Sequence, residues 1–369
     1  MVLTRYPFGM PKGEYLQYGG QAVVEGVMMR SPRFFSVACR APNGKIVLQV
    51  EAVEKTWIGR QKWLKLPFLR GSLALLDSMA LGSRALKFAS SIQLDPAYQD
   101  PTEVAQALGD KAPVGGEAPT AADLGLPSKR VQEGAIAVTL LISLALGMGI
   151  FVYLPNFVAE SISRSTGQKN GTFINIMAEL IKIVIFLGYI GFLGTLKDIR
   201  ELFKYHGAEH KAINTMEADQ TLEMGNCLKQ TRLHPRCGTS FAIIVLILSL
   251  IVFTFVPRYP ITGHQTDSKF IDTTVRVLIE IAILPIISGI AYELLRIAGK
   301  FRNQSFVSFF FKPGIWSQFL TTREPEEGQI EVALIALKAV VAAEESGRVE
   351  SETPVVIEST YPSFVQKNA

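Results

Sequence analysis

The sequence predicts a mainly α, polytopic helical membrane protein with about four transmembrane helices and a small antiparallel β-sheet on the cytoplasmic side. Hydrophobic residues make up 48% of the 369-residue chain and the mean hydropathy is positive, unlike an ordinary soluble domain. Four stretches approach the roughly 20 apolar residues that a spanning helix needs. Ahead of them, short segments alternate or run in β-branched residues, as strands do.

The amino end, Met1 to Gly13, carries Pro7, Gly9, Pro11 and Gly13 and lacks the apolar core of a cleavable signal. An internal segment is therefore expected to direct insertion. Residues 21–30, 33–41 and 45–53 read as strands divided by Ser31-Pro32 and Pro42-Asn43-Gly44, the Asn-Gly pair marking a hairpin. They predict a three-stranded sheet. Residues 66–88 follow as a helix with Arg70, Asp77 and Arg84 on one stripe, too charged to span, so it lies in the interface or packs with its charges paired. Residues 17–93 thus form a cytoplasmic meander with an amphipathic helix, and 94–132, rich in Pro, Gly, Ala and Asp, a flexible linker.

Spans are expected at 134–156, 174–194, 240–256 and 275–297, within a four-helix membrane domain over 133–300. Glu179 and Lys182 in the second can neutralise each other, and Arg276 stands one turn before Glu280 in the fourth, which Pro285 should kink. The loop 157–173 holds only Arg164 and Lys169, whereas 195–239 holds Lys197, Arg200, Lys204, Lys211, Lys229, Arg232 and Arg236. By the positive-inside rule the second loop is cytoplasmic, and with it both termini of a multi-pass protein of the plasma (inner) membrane. Over 301–345, Ile330, Ala333, Leu334, Leu337, Val340 and Val341 recur at helical spacing after Thr321-Thr322-Arg323-Glu324-Pro325, predicting a helix docked through one face. Residues 346–369 read as a disordered tail.

Partners follow from these properties. The lipid bilayer is one and a cytoplasmic protein another; nucleic acid is excluded, because a charge of +4 is small and scattered. A transporter is disfavoured by four spans without an internal repeat. Cys39, Cys227 and Cys237 are an odd set with no disulfide framework; Cys39 reads as packing, and the other two, reduced in the cytoplasm, remain available as ligands.

Chemistry concentrates in the loop 195–239, where three of the four histidines lie. On a helix, His206-Gly207-Ala208-Glu209-His210 puts both imidazoles on one face with a carboxylate beside them, the order of an inverted zinc-peptidase motif. His206 and His210 would bind zinc, Glu209 would act as base, and the third ligand is His234 or Cys237, with Glu293 a weaker choice. Arg236 is placed to steady an oxyanion. The plainer reading is a polar membrane-proximal helix. If residues 196–216 simply continued the second span, His210 would stand roughly 24 Å beyond the membrane edge. The histidines meet only if the helix bends back or the loop folds up.

Tyr18 to Arg30, Pro67-Phe68-Leu69-Arg70-Gly71, Tyr205 to Lys211, His234 to Phe241 and Leu320 to Pro325, in this order, resemble the YqhQ-like family of bacterial membrane proteins. The resemblance runs from about Gln17 to Val340 and leaves out 95–129 and the tail. It implies a metal-dependent enzyme without a named substrate. It also raises Glu25 and Arg30, otherwise plain strand residues, to site candidates, and implies that the sheet and the histidine loop form one cytoplasmic unit. The sequence therefore points to a zinc-dependent hydrolase or peptidase, against a non-catalytic assembly or scaffold factor with a structural histidine and cysteine cluster.

Overall fold

A computed structural model describes residues 18–53, 69–99, 129–300, 305–351 and 353–361. Most of the expected linker and the end of the tail lie outside these residues, as do Pro67 and Phe68. The described chain holds a five-stranded antiparallel meander, β1(Gly19–Val23), β2(Gly26–Arg30), β3(Phe34–Arg40), β4(Ile46–Ala52) and β5(Val355–Ile357), paired in that order. The segment 21–30, expected as one strand, is two. It folds back at Val24-Glu25, where Glu25 takes φ +50°, and Gln21 pairs with Met28. Glycine at 26 is needed just after the turn, since a Cβ there would meet the Ala38 carbonyl oxygen at 2.3 Å. Gly44 supplies the left-handed φ of +82° at the next hairpin, as the Asn-Gly pair predicts.

The fifth strand corrects the expectation of a disordered tail over 346–369. Val355, Val356 and Ile357 pair with β4, and the segment beyond is held by one carboxylate. Glu331 accepts from Ser359 Oγ at 2.6 Å and from the Thr360 backbone at 2.7 Å, while Arg40 donates to Ser359 Oγ at 2.7 Å. Its carboxyl is held below the usual range: burial opposes ionisation, but these hydrogen bonds and Arg40 outweigh it. Such polar anchoring leaves no hydrophobic periodicity to read.

The two-residue period of the strands sorts their side chains onto two faces. Val27, Met29 and Ala38 face a core built with two helices, α5(Lys197–Glu217) and α10(Glu327–Ser346), whereas Met28, Phe35, Val37 and Cys39 pack on Leu81, Ala85 and Ala89 of α1(Leu69–Leu94). With helices on both faces, β3 is buried at every residue. The last helix starts at a capping box of Glu326 and Gln329 and is buried nearly all round, not on one face as expected. Its Glu331 can enter this core because Arg40 pairs with it at 3.3 Å. The charged stripe of α1 is accommodated by packing: Arg84 pairs with Glu51 of β4.

Among the described residues, four helices are long and apolar enough to cross a membrane. The first span joins α2(Lys129–Met148) to α3(Leu154–Thr166) through a π-helical turn, Gly149–Tyr153. It therefore runs ten residues past its expected end at 156, because the wider turn precedes Pro155, which sits harmlessly in the first turn of α3. The others are α4(Gly171–Leu193), α7(Gly238–Phe255) and α8(Lys269–Lys300), with Pro285 inside the last. The short α6(Met224–Lys229) and α9(Ser305–Thr321) complete the order.

Charges inside the bundle are paired. Lys182 donates to Glu179 at 2.8 Å, as the spacing predicts, and also reaches Glu280 at 2.9 Å; Glu280 in turn lies 3.5 Å from Arg276 and accepts from Asn156 at 2.9 Å. Lys182→Met would remove the cation bonded to Glu179 and one of the two cations at Glu280, so it should destabilise the protein by about 3–5 kcal/mol. Unfolding of the purified protein in detergent measures this; an unchanged melting temperature would contradict the network.

Candidate metal centre

The second span does not continue into the histidine helix. Leu193 ends α4, Gly194 and Thr195 make a turn, and Leu196 is extended (φ −73°, ψ 135°) before α5 begins. The new direction lays α5 against β1 and α10, which removes the 24 Å separation that a straight helix would impose.

On α5 the four-residue spacing puts His206 and His210 side by side, with ring centroids 4.4 Å apart and planes tilted by 59°. Each Nδ1 is anchored on a backbone carbonyl: His206 on Thr321 at 2.9 Å and His210 on Arg232 at 2.7 Å. A carbonyl only accepts, so both Nδ1 atoms carry the proton and both Nε2 atoms are left as donors to an ion. The third member is Cys237, the extended residue that precedes α7. Its Sγ stands 3.2 Å from His206 Nε2, and one ligand atom each of His206, His210 and Cys237 lies within 4.8 Å of the others.

This donor set fits a tetrahedral ion such as zinc. Nitrogen and thiolate ligands of one such ion stand roughly 3.3–3.6 Å apart, close to the 3.2 Å between His206 Nε2 and Cys237 Sγ. Burial alone would raise the Cys237 thiol, but the His206 and His210 rings outweigh it and hold the group well below its usual value, in the thiolate form that binds metals. Burial likewise opposes charge on His206, yet the thiolate beside it raises that imidazole to about 9.

The remaining candidates fall in different places. Glu209 is buried with Oε2 3.4 Å from His210 Nε2, beside the ligands. Its side chain lies over Gly20, where a Cβ would meet Glu209 Cγ at 2.6 Å. His234 is not in the ligand group: its Nε2 lies 3.4 Å from Glu217, and its backbone is held at both N and O by the Gln318 amide. Glu217, two turns beyond His210, also pairs with the Arg236 guanidinium. Glu25 accepts from Tyr205 Oη at 3.1 Å, against the residue before His206. Arg30 closes β2 opposite Gly19 and Phe35, and neither it nor Glu25 belongs to the ligand group.

Several residues that hold the centre carry no chemical signature. Gly207 lets residue 323 cross α5, since a Cβ would meet the Arg323 carbonyl oxygen at 2.1 Å. The Arg323 N–H donates to Phe203 at 2.9 Å, and this crossing brings Thr321 to His206. Arg232 offers its carbonyl to His210 while its guanidinium donates to Thr322 Oγ1 at 2.7 Å. The glycine inside the motif and the Thr321-Thr322-Arg323 run were the available signals.

Residues 66–343 match the family described as a protein of unknown function (DUF1385), a span that runs through 95–129. The uncharacterized protein YqhQ of Bacillus subtilis (strain 168) is 32% identical over 329 residues, covering 89% of this chain and 93% of its own. No solved structure matches. Neither description names a metal or a reaction, so the enzyme expected from the resemblance rests on the residues themselves. The chain belongs to the YqhQ-like DUF1385 family.

Proposed function

We propose that this protein is a metal-dependent hydrolase of the membrane surface, with zinc the ion its donor set suits best. Two anchored imidazoles and one thiolate whose ligand atoms lie within 4.8 Å carry this reading. Three protein ligands leave the fourth tetrahedral position open, as in catalytic sites. When bound, such an ion supplies Lewis acidity and makes water a nucleophile near neutral pH. Glu209, beside His210 Nε2, would take the proton of the attacking water and return it to the leaving group. Backbone carbonyls of Thr321 and Arg232 keep both rings in the ligating tautomer. The density of Lys and Arg in 195–239 supports a site on the cytoplasmic face of the plasma membrane, with both termini on that side.

A second reading is favoured by burial. His210 is 1% exposed and Cys237 6%, as in structural sites, where an ion staples α5 to the start of a span. The protein would then be an assembly or scaffold factor that docks a cytoplasmic partner.

Elemental analysis of the purified wild type, Cys237→Ser and Glu209→Gln, with complementation of a deletion strain, separates the two. Catalysis predicts metal in wild type and Glu209→Gln, little in Cys237→Ser, and no complementation by Glu209→Gln. Complementation by a metal-loaded Glu209→Gln would establish the structural ion, and a metal-free wild type would refute both.

Binding should also release a proton. Below about pH 9 His206 is protonated and must lose that proton to ligate, whereas Cys237 is already a thiolate. Apparent affinity should therefore rise up to about tenfold per pH unit through neutrality. Titration calorimetry in buffers of different ionisation enthalpy measures this; a pH-independent affinity would contradict the charge assignment.

A further inference from the structure

The spans and the loop joining α7 to α8 carry a second set of ionisable groups, at the end of the bundle away from the sheet and in its interior. Asp272 of α8 pairs with Arg164 of α3 at 2.7 Å, and Arg164 lies 3.3 Å from Glu160. Glu160 accepts from Gln265 of the loop at 2.6 Å and pairs with Arg258 at 3.3 Å. Arg258 donates to Asn156 Oδ1 at 2.7 Å, and Asn156 donates to Glu280 at 2.9 Å. Through Lys182 the connection ends at Glu179. No link in this series exceeds 3.3 Å. Counting along α4 from Gly171, Glu179 lies roughly 12 Å inside the bundle, close to the middle of a hydrocarbon core of about 30 Å.

Several buried atoms along the series have no hydrogen-bond partner among the described residues. They are Arg164 Nε, Glu179 Oε2, Arg258 Nε, Arg276 Nε and the hydroxyls of Thr273 and Thr274. Leaving such atoms dry is costly, and they include acceptors, donors and groups that do both. Water is the one small partner that can serve all three kinds. A sealed structural ion pair needs neither these orphaned atoms nor a connection to the loop. Ionisable residues held inside a membrane mark ion and proton pathways.

We propose that this series, with internal water on its orphaned atoms, is a proton-entry path from the α7–α8 loop to Glu179 at mid-membrane. A water passes its proton to Glu179 Oε2 and is reprotonated from the next water towards Glu160, so only O–H bonds form and break. Lys182 of the same helix and Glu280 and Arg276 of α8 face Glu179; α7 contributes no ionisable side chain, and Glu160 of α3 is engaged by Arg258 and Gln265. With all groups ionised, Glu160, Glu179, Asp272 and Glu280 balance Arg164, Lys182, Arg258 and Arg276. An arriving proton therefore leaves the cluster with one surplus positive charge. Glu179 exchanges protons and does not store them.

Dicyclohexylcarbodiimide, which attaches to protonated carboxyls inside a bilayer, tests this on the full-length protein in sealed proteoliposomes. Peptide mapping reads the label, and protease protection of the α7–α8 loop gives the sidedness. Glu179 should be labelled, and labelling should fall at least tenfold as the compartment facing that loop is made alkaline, with no response to the opposite compartment. Glu179→Gln should remove the labelled peptide; mapping of the wild type identifies the site even if that variant fails to fold. No labelling at Glu179 at any pH, or labelling governed by the other compartment, would overturn the path.

Discussion

Two imidazoles share one face of α5, and each must keep its Nδ1 proton on a carbonyl from a distant part of the chain. Buried ring nitrogens left without partners are costly, so this demand fixes where the ends of α9 and the 230–237 segment sit relative to α5. Gly207 makes the first contact possible, because any side chain there would collide with the backbone at Arg323. Glu217 sets the second boundary by taking His234 and Arg236. Between these two fixtures Cys237 reaches His206 Nε2 at 3.2 Å, and Glu209 stands beside His210 Nε2 at 3.4 Å.

The same residue links the centre to the membrane domain. Cys237 immediately precedes α7, so its thiolate is held at the end of a spanning helix while the histidines ride on a helix packed against the sheet. The helix amino terminus adds to the charge of the imidazoles in favouring the thiolate. An ion here would tie the sheet-packed α5 to the start of α7, beside the contact that α1 makes with α8, where Ser72 Oγ donates to the Pro285 carbonyl at 2.7 Å. Glu209 belongs to the sheet side of that junction, held over Gly20 of β1, and the Tyr205 hydroxyl on Glu25 fixes the same helix to the β1–β2 turn.

Much of this was legible in the sequence where one physical pattern dominated. Apolar length gave the four spans, the Asn43-Gly44 pair gave its hairpin, and the spacing of Glu179 and Lys182 gave their ion pair. The histidine pair was legible because helical period alone puts residues 206 and 210 side by side. Other features depended on distant partners. Nothing local distinguishes His234 from Cys237 as a ligand until Glu217 and Gln318 are seen to hold the histidine. The β1–β2 turn was hidden because Val24 and Glu25 are poor turn residues, and Glu25 takes a positive φ without being glycine. The tail was read as disordered because its order comes from Glu331 and Arg40, not from its own composition.

X-ray absorption at the metal edge of the purified wild-type protein tests the centre most directly. The account predicts one sulfur at about 2.3 Å and two imidazole nitrogens at about 2.0–2.1 Å, with the sulfur lost in Cys237→Ser. A shell of nitrogen and oxygen without sulfur in the wild type would contradict it.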